Sequence, residues 1–336
     1  MKKSSSLLLL MVGVLMLMVL GCPPSDSKIE VSPPTYQPGQ VEKVRFVRQD
    51  LYNSWVETPG QPQAMPSSRE FTEEVVLSRE VESVNSDGSM IMKVTFEQVN
   101  VTDKRKLENQ ENLITYRSTR EKTESSEANE PALAGASYRI VLGPDTTVRG
   151  IMDLEQLRKE LGIQEGASVI VARLLQENRL KITHEREFLQ SGVQTGGQAT
   201  KLFPVRSEWN KAQALEKTFR AQNTQTPLGH PGLAVTMTGQ AVYILPEGWP
   251  DPPRPEDPIR PILIEKSDMQ PPEITGESLL DLTTGQVLRD NTKTKLTLII
   301  TSEKIAQEAG VEKKETVDQQ MFMQIELTHQ FETLLN

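Results

Sequence analysis

Between Phe71 and Phe96 the apolar side chains fall at every second position on either side of a polar turn, and that period of two decides what the chain can become. The alternation is ragged from Phe71 to Val84, stops at Asn85-Ser86-Asp87-Gly88, and is regular over Met90, Met92, Val94 and Phe96. A helix would need its apolar residues three and four apart, so this stretch is a β-hairpin with one buried face. Met90, Met92, Val94 and Phe96 are then candidate lining for an apolar ligand held by the sheet, with core packing as their other role. Asn85 and Asp87 are the residues such a turn wants, and the further carboxylates of a calcium loop are missing.

The same pattern recurs on both sides. Val44 and Phe46 start a strand near Val41, and a loop is expected from Pro59 to Ser68. Asp103 to Asn112 reads as a charged connection, Leu113 to Tyr116 as a short strand, and Ser118 to Pro131 as a polar loop. Tyr138–Leu142 and Thr147–Ile151 flank Gly143-Pro144-Asp145 as a second hairpin. Asp153 then opens a helix, with Gln156 placed for a capping box, Leu154, Leu157 and Leu161 on one face, and Gly162 as its stop. A second helix is expected from Ala167 to about Glu177, and the pattern from Leu180 to Gln190 fits helix and strand alike. Gly192 to Thr200 marks a junction. Beyond it, Leu233 to Leu245 reads as a strand pair around Gly239. Ser278–Leu282 and Gln286 onward form a hairpin over Thr283-Thr284-Gly285, Lys295–Thr301 reads as a further strand, and Met321 to Phe331 ends the chain as a regular strand.

The expected fold is therefore mainly β, of the α+β kind: long, curved antiparallel sheet with one or two helices at mid-chain. Two β-rich halves, 41–200 ending in helices and 201–336, leave room for a pseudo-duplicated arrangement, although no residue-level repeat supports one. Nine of the chain's twenty-two prolines fall between Pro246 and Pro272, so that stretch lacks the amide donors of a central strand and is an exposed excursion.

The N-terminus gives an address. Lys2 and Lys3 precede an apolar run from Leu7 to Leu20, and Gly21-Cys22 follows, the layout of a secretory signal. At ~1.5 Å per helical residue the run reaches about 21 Å, short of a ~30 Å hydrocarbon core. Its ending matches a bacterial lipobox, with cleavage between Gly21 and Cys22 and a diacylglyceryl thioether on Cys22. Cys22 is the only cysteine in the chain, so it has no internal disulfide partner and the fold must stand without one. Residues 22–40 are rich in proline and form a stiff tether. Pro23, where an aspartate would signal inner-membrane retention, favours the outer membrane within a cell-envelope address.

Charge narrows the partners. The 336 residues carry a net charge of −9, which becomes −11 once residues 1–21, with two lysines and no acids, are removed. That sign disfavours nucleic acid and leaves attachment to membrane to the lipid. The expected partners are the membrane, through the anchor, and an envelope protein or an apolar ligand.

Catalytic patterns are sparse. His184-Glu185-Arg186-Glu187-Phe188 begins like a zinc-protease helix but has Phe188 at the second histidine position, and the three histidines are far apart. Gly-x-Ser-x-Gly, P-loop and dinucleotide fingerprints are absent, and no metal site or cofactor beyond the lipid on Cys22 is expected. Most glutamates alternate with apolar residues and read as a solvated face. Trp55, Trp209 and Trp249 could form a sugar platform but sit beside apolar or proline segments. The expectation is a non-enzymatic binding or scaffolding lipoprotein; the alternative is a carboxylate hydrolase of envelope polysaccharide.

Several segments together, VLGC at the anchor, LAGASYRIVLGPDTTVRGI before the leucine helix, LFPVRSEW, and GESLLDLTTGQVL, resemble those of a group of bacterial lipoproteins carrying a β-rich domain of unknown function. Where those relatives often have Gly-Asp before the tryptophan, this chain has Arg206-Ser207-Glu208. The resemblance implies an anchored β-rich body and carries over no functional residue.

Overall fold

The computed structural model describes residues 36–58, 63–108, 110–127, 130–163, 169–204, 213–243, 273–301 and 320–335. Gly21, Cys22, most of the tether, Trp209, Trp249 and the proline-rich stretch 246–272 lie outside them.

The chain meanders outward through β1 (Val41–Glu57), β2 (Ala64–Val84), β3 (Met90–Leu107), β4 (Gln110–Thr119) and β5 (Thr123–Ser125), then adds β6 (Ser137–Leu142) and β7 (Val148–Met152). Four short helices follow: α1 (Leu154–Glu160), α2 (Val169–Leu174), α3 (Glu177–His184) and α4 (Glu187–Gln190). The return passes through β8 (Gln198–Pro204), β9 (Gln213–Gln225), β10 (Pro231–Tyr243), β11 (Glu273–Asp281), β12 (Val287–Thr301) and β13 (Gln320–Leu334). All belong to one antiparallel sheet in the order β5-β4-β3-β2-β1-β13-β12-β11-β10-β9-β8, which does not close into a barrel. β3 forks, pairing with β6 near its start at Met90–Thr95 and with β4 near its end at Gln98–Leu107. The two halves of the chain meet where the first strand pairs with the last, in register from Lys43↔Leu334 to Glu57↔Gln320.

The sheet is mainly β as expected, and the strands run longer than their apolar patterns. β3 continues through Asp103 to Leu107, where a connection was expected, because Asp103 and Arg105 answer each other and Arg69 across the face. β2 already begins at Ala64, β5 lies inside the expected 118–131 loop, and Lys295–Thr301 is the end of β12 rather than a separate strand. Leu233 to Tyr243 is one strand, not two. Gly239 is there for close approach, since a Cβ would stand 2.9 Å from the Glu216 carbonyl oxygen.

The helical stretch also breaks more often than expected. α1 ends at Gly162 (φ 65°), whose N–H and that of Ile163 bond to the Lys159 and Arg158 carbonyls in a Schellman closure. Its start corrects the capping-box expectation. Asp153 is left-handed (φ 64°), and its carboxylate accepts from Arg139 Nε at 2.6 Å on β6 instead of capping the helix. Extended backbone at Gln176 and at Glu185 to Arg186 divides the rest, so Leu180 to Gln190 is helix with one interruption.

Successive strand residues face opposite ways. On β1 the residues Glu42, Val44, Phe46 and Asp50 are buried on the inward face, where the helices lie. The helical segment forms a strap across that face: Arg173 reaches Asp103 on β3, Arg179 pairs with Glu73 on β2, Arg186 covers Phe331 on β13, and Glu187 pairs with Lys217 on β9. Beneath it is the core, which includes Leu77, Val94, Ile140, Leu175, Leu233 and Leu280, each at 2% exposure or less. Every such aliphatic side chain contributes roughly 1.5–3 kcal/mol.

The two ends of the strands differ. Tight turns at Asn85–Ser89, Thr226–His230 and Asp281–Gln286 lie at the end where β1 begins and β13 finishes. The strand ends adjoining 59–62, 205–212, 244–272 and 302–319 all lie at the other.

Met92 is fully buried in this core. Met92→Ala should lower unfolding free energy by about 2–5 kcal/mol, measured by urea denaturation; a loss under about 1 kcal/mol would mean the site is not packed.

Candidate ligand site on the inward face

Two groups of charged side chains sit on the inward face, one at each side of the strap. Near the tight turns, Arg79 Nη2 bonds Glu42 Oε1 at 2.6 Å, with both side chains at 6% exposure or less. Gln286 donates to Glu42 Oε2 at 3.0 Å. Arg186 lies over the Phe331 ring at 3.6 Å and donates to the Glu185 and Thr183 carbonyls at 2.6 and 2.7 Å. Burial brings its pKa down to about 10. This group reads as structural: Arg79 is paired with Glu42 and Arg186 stands 3.9 Å from Asp290, so its charges balance although the Nε of each arginine has no hydrogen-bond partner.

His184 and Glu185 of the zinc-protease-like segment are buried here too. His184 Nε2 shares a hydrogen bond of 2.7 Å with the Tyr138 hydroxyl, and burial, helped by Arg79 and Arg186, holds the imidazole well below its usual pKa and so neutral. A Glu185 oxygen accepts from the Val148 N–H at 3.0 Å. Asp290 accepts from Ser278 Oγ at 2.6 Å, and burial holds its carboxyl above the usual pKa.

The second group faces the other end of the strands. The sheet register places Glu73 beside Arg48, Phe71 beside Asp50 and Asp103, and Arg69 beside Tyr52 and Arg105. From above, the strap adds Arg173 of α2 and Arg179 of α3. The guanidinium carbons of Arg69, Arg173 and Arg179 stand 5.5, 5.8 and 5.1 Å from the centre of the Phe71 ring. Asp103 is gripped in bidentate fashion by Arg69 (2.8 and 2.8 Å) and again by Arg105 (2.7 and 3.3 Å). Burial pushes that carboxyl up, but the four bonds outweigh it and hold the pKa at about 2. Arg48 holds Asp50 at 2.8 and 2.9 Å, and Glu73 pairs with Arg179. Burial and the nearby Arg48 lower the pKa of Arg179 to about 9.

Beyond this group burial on the inward face falls among the described residues. Phe71 and Asp50 are at 3% and 4% exposure, but one step farther along the strands Tyr52, Ile325 and Leu296, adjacent in register, are only half-buried. Leu327 and Ile114 are half-buried in the row before them. The result is an apolar row beside an arginine-rich rim.

The lining expected from sequence lies elsewhere. Met90, Met92, Val94 and Phe96 occupy inward positions on β3, at 2%, 0%, 0% and 2% exposure, and belong to the closed core. Trp55 stacks on Phe322 at 5.3 Å with its Nε1 on Glu57, on the opposite face of the sheet. Asp87 serves its turn, accepting from Ser89 N and Oγ at 2.9 and 2.6 Å. Sequence reasoning missed the arginine group because its members are spread over two strand pairs and two helices. The available signal was Arg48-x-Asp50 and Asp103-x-Arg105, opposite charges two apart and hence on one face.

No family model matches the sequence, and no curated protein matches it. Among solved structures, a lipovitellin structure concerned with lipid–protein interactions aligns over 90% of this chain at 10% identity and a TM-score of 0.45, and this chain spans 26% of it. DynF from the dynemicin pathway of Micromonospora chersina aligns at 6% identity and a TM-score of 0.14, over 90% of this chain and 85% of its own. An outer membrane channel from Pseudomonas putida F1 aligns at 7% identity and 0.17, over 94% of this chain and all of its own.

A folded-state pKa below the unfolded value means that Asp103 stabilises the fold fully above about pH 4 and loses that contribution as pH falls toward 2. Asp103→Asn should therefore cost at least about 2 kcal/mol at pH 7, with the gap to the native protein narrowing between about pH 4 and 2 in urea titrations. At these scores, the three structural likenesses carry no argument about what the protein does.

Proposed function

We propose that this is a non-enzymatic, lipid-anchored protein of the cell envelope that holds an apolar chain against the open part of its inward sheet face. The carrying observation is the half-buried row of Tyr52, Ile325 and Leu296, with Leu327 in the row before it, at the point where the cover given by the strap ends. These four apolar side chains on one face offer a ligand area removed from water at about 25 cal/mol per Å². The described carboxylates of the neighbouring group are bonded to arginines, an arrangement that suits recognition better than proton transfer. The address rests on the Lys2–Cys22 segment, and the lone cysteine is the attachment point. β1 begins and β13 finishes at the tight-turn end, and the half-buried row lies toward the other end of the strands.

Two measurements test the parts separately. A fluorescent fatty acid should bind the purified protein, and Ile325→Glu should weaken uptake at least tenfold while the circular dichroism spectrum holds; uptake equal to the native protein would sink the apolar site. Metabolic labelling with an alkynyl fatty acid should mark the native chain and leave Cys22→Ala unlabelled and unprocessed. Equal labelling of the two would remove the anchor.

A further inference from the structure

We propose that Arg69, Arg105, Arg173 and Arg179 form a binding site for a phosphate group, carried as the head of the apolar ligand. The tail depends on the reading given above; the head stands on its own residues. Around the Phe71 ring, five guanidinium groups (Arg48, Arg69, Arg105, Arg173, Arg179) face three carboxylates (Asp50, Glu73, Asp103). Two positive charges are left over, in a chain whose net charge is −9.

The surplus has a location. Arg48 is occupied by Asp50, and both oxygens of Asp103 are filled by the forks of Arg69 and Arg105. Arg173 therefore approaches Asp103 only at 3.8 Å. Arg179, with its side chain at 10% exposure, pairs with Glu73 but has no hydrogen-bond partner at its buried Nε. A like-charged, partly desolvated group of this kind lacks an anion.

Phosphate chemistry fits it. The Arg173 guanidinium can match two phosphate oxygens as a fork, Arg69 and Arg105 add the Nη1 that Asp103 does not take, and a phosphomonoester at neutral pH carries about −1.5 to −2 charges, the size of the surplus. Arg69, Arg105 and Arg173 remain 33%, 46% and 28% exposed and can be reached from the open side. Tyr52 borders both the arginines and the apolar row, so a head held here would lay its chain along Ile325 and Leu296.

Calorimetric titration of the full chain with inorganic phosphate, octyl phosphate and octyl glucoside, each below micelle concentration and at fixed ionic strength, tests this. Phosphate and octyl phosphate should bind the native protein, and Arg173→Gln should weaken both at least about tenfold, the loss of one charge-assisted contact. Arg120→Gln, at a distant exposed site, should change neither, and octyl glucoside should ignore both substitutions. Arginine-independent binding of octyl phosphate, equal to that of octyl glucoside, overturns the phosphate site and leaves the apolar reading intact. Arginine-dependent binding of inorganic phosphate with no gain from the octyl chain supports the head site and overturns the apolar reading. Should Arg173→Gln fail to fold, the native melting temperature in phosphate against chloride decides. A rise supports the site and none overturns it.

Discussion

A very wide sheet with four short helices among the described residues has to solve the problem of cover, and most of this structure follows from it. Apolar side chains on the inward face are worth burying only where something lies over them. Here the strap from α1 to α4 crosses the strands instead of running along them, so its shadow is a band. Within the band the sheet is conventional core: Leu77, Val94, Ile140, Leu233 and Leu280. At the margins of the band the inward positions turn charged, and the strap answers with arginines of its own.

Those marginal charges are what hold the strap to the sheet. Arg173 and Arg179 stretch over Phe71 on one side, and Arg186 lies on Phe331 on the other. Guanidinium groups suit such places because they stack on a ring and bond a carboxylate at the same time. The two margins then diverge. Near the tight turns the charges are paired and closed over. Toward the other end the arginines outnumber the acids and remain partly open, and the face beyond them stays apolar and half-covered. One structural solution thus yields a sealed polar seam and an unsealed one.

Much of this was legible in the sequence, for reasons visible in single residues. The hairpin at Asn85–Ser89 was plain because its turn chemistry and its apolar alternation agree, and Gly162 announced the end of α1 because few other residues tolerate its backbone angles. What stayed hidden were inward-facing charges. Glu42, Glu73 and Asp103 look solvated in the sequence, because the arginines that make their burial tolerable sit 37, 106 and 34 residues away, at Arg79, Arg179 and Arg69. Asp153 failed as a cap for the same reason: Arg139, across the β6–β7 hairpin, holds its carboxylate. Alternation reports which residues share a face, and it cannot report which neighbour meets them there.

The pairing of β1 with β13 has a bearing on how the molecule comes into being. The first strand to be synthesised has its second neighbour at the far end of the chain, from Lys43↔Leu334 to Glu57↔Gln320. Until that last strand exists, β1 and β12 are long open edges in what becomes the middle of the sheet, and the loop that their joining closes is nearly the whole protein. Contacts of such long range make folding slow and late. Hairpins such as β2–β3 can form from neighbouring residues, whereas the seam between β1 and β13 can form only when both halves of the sheet are present.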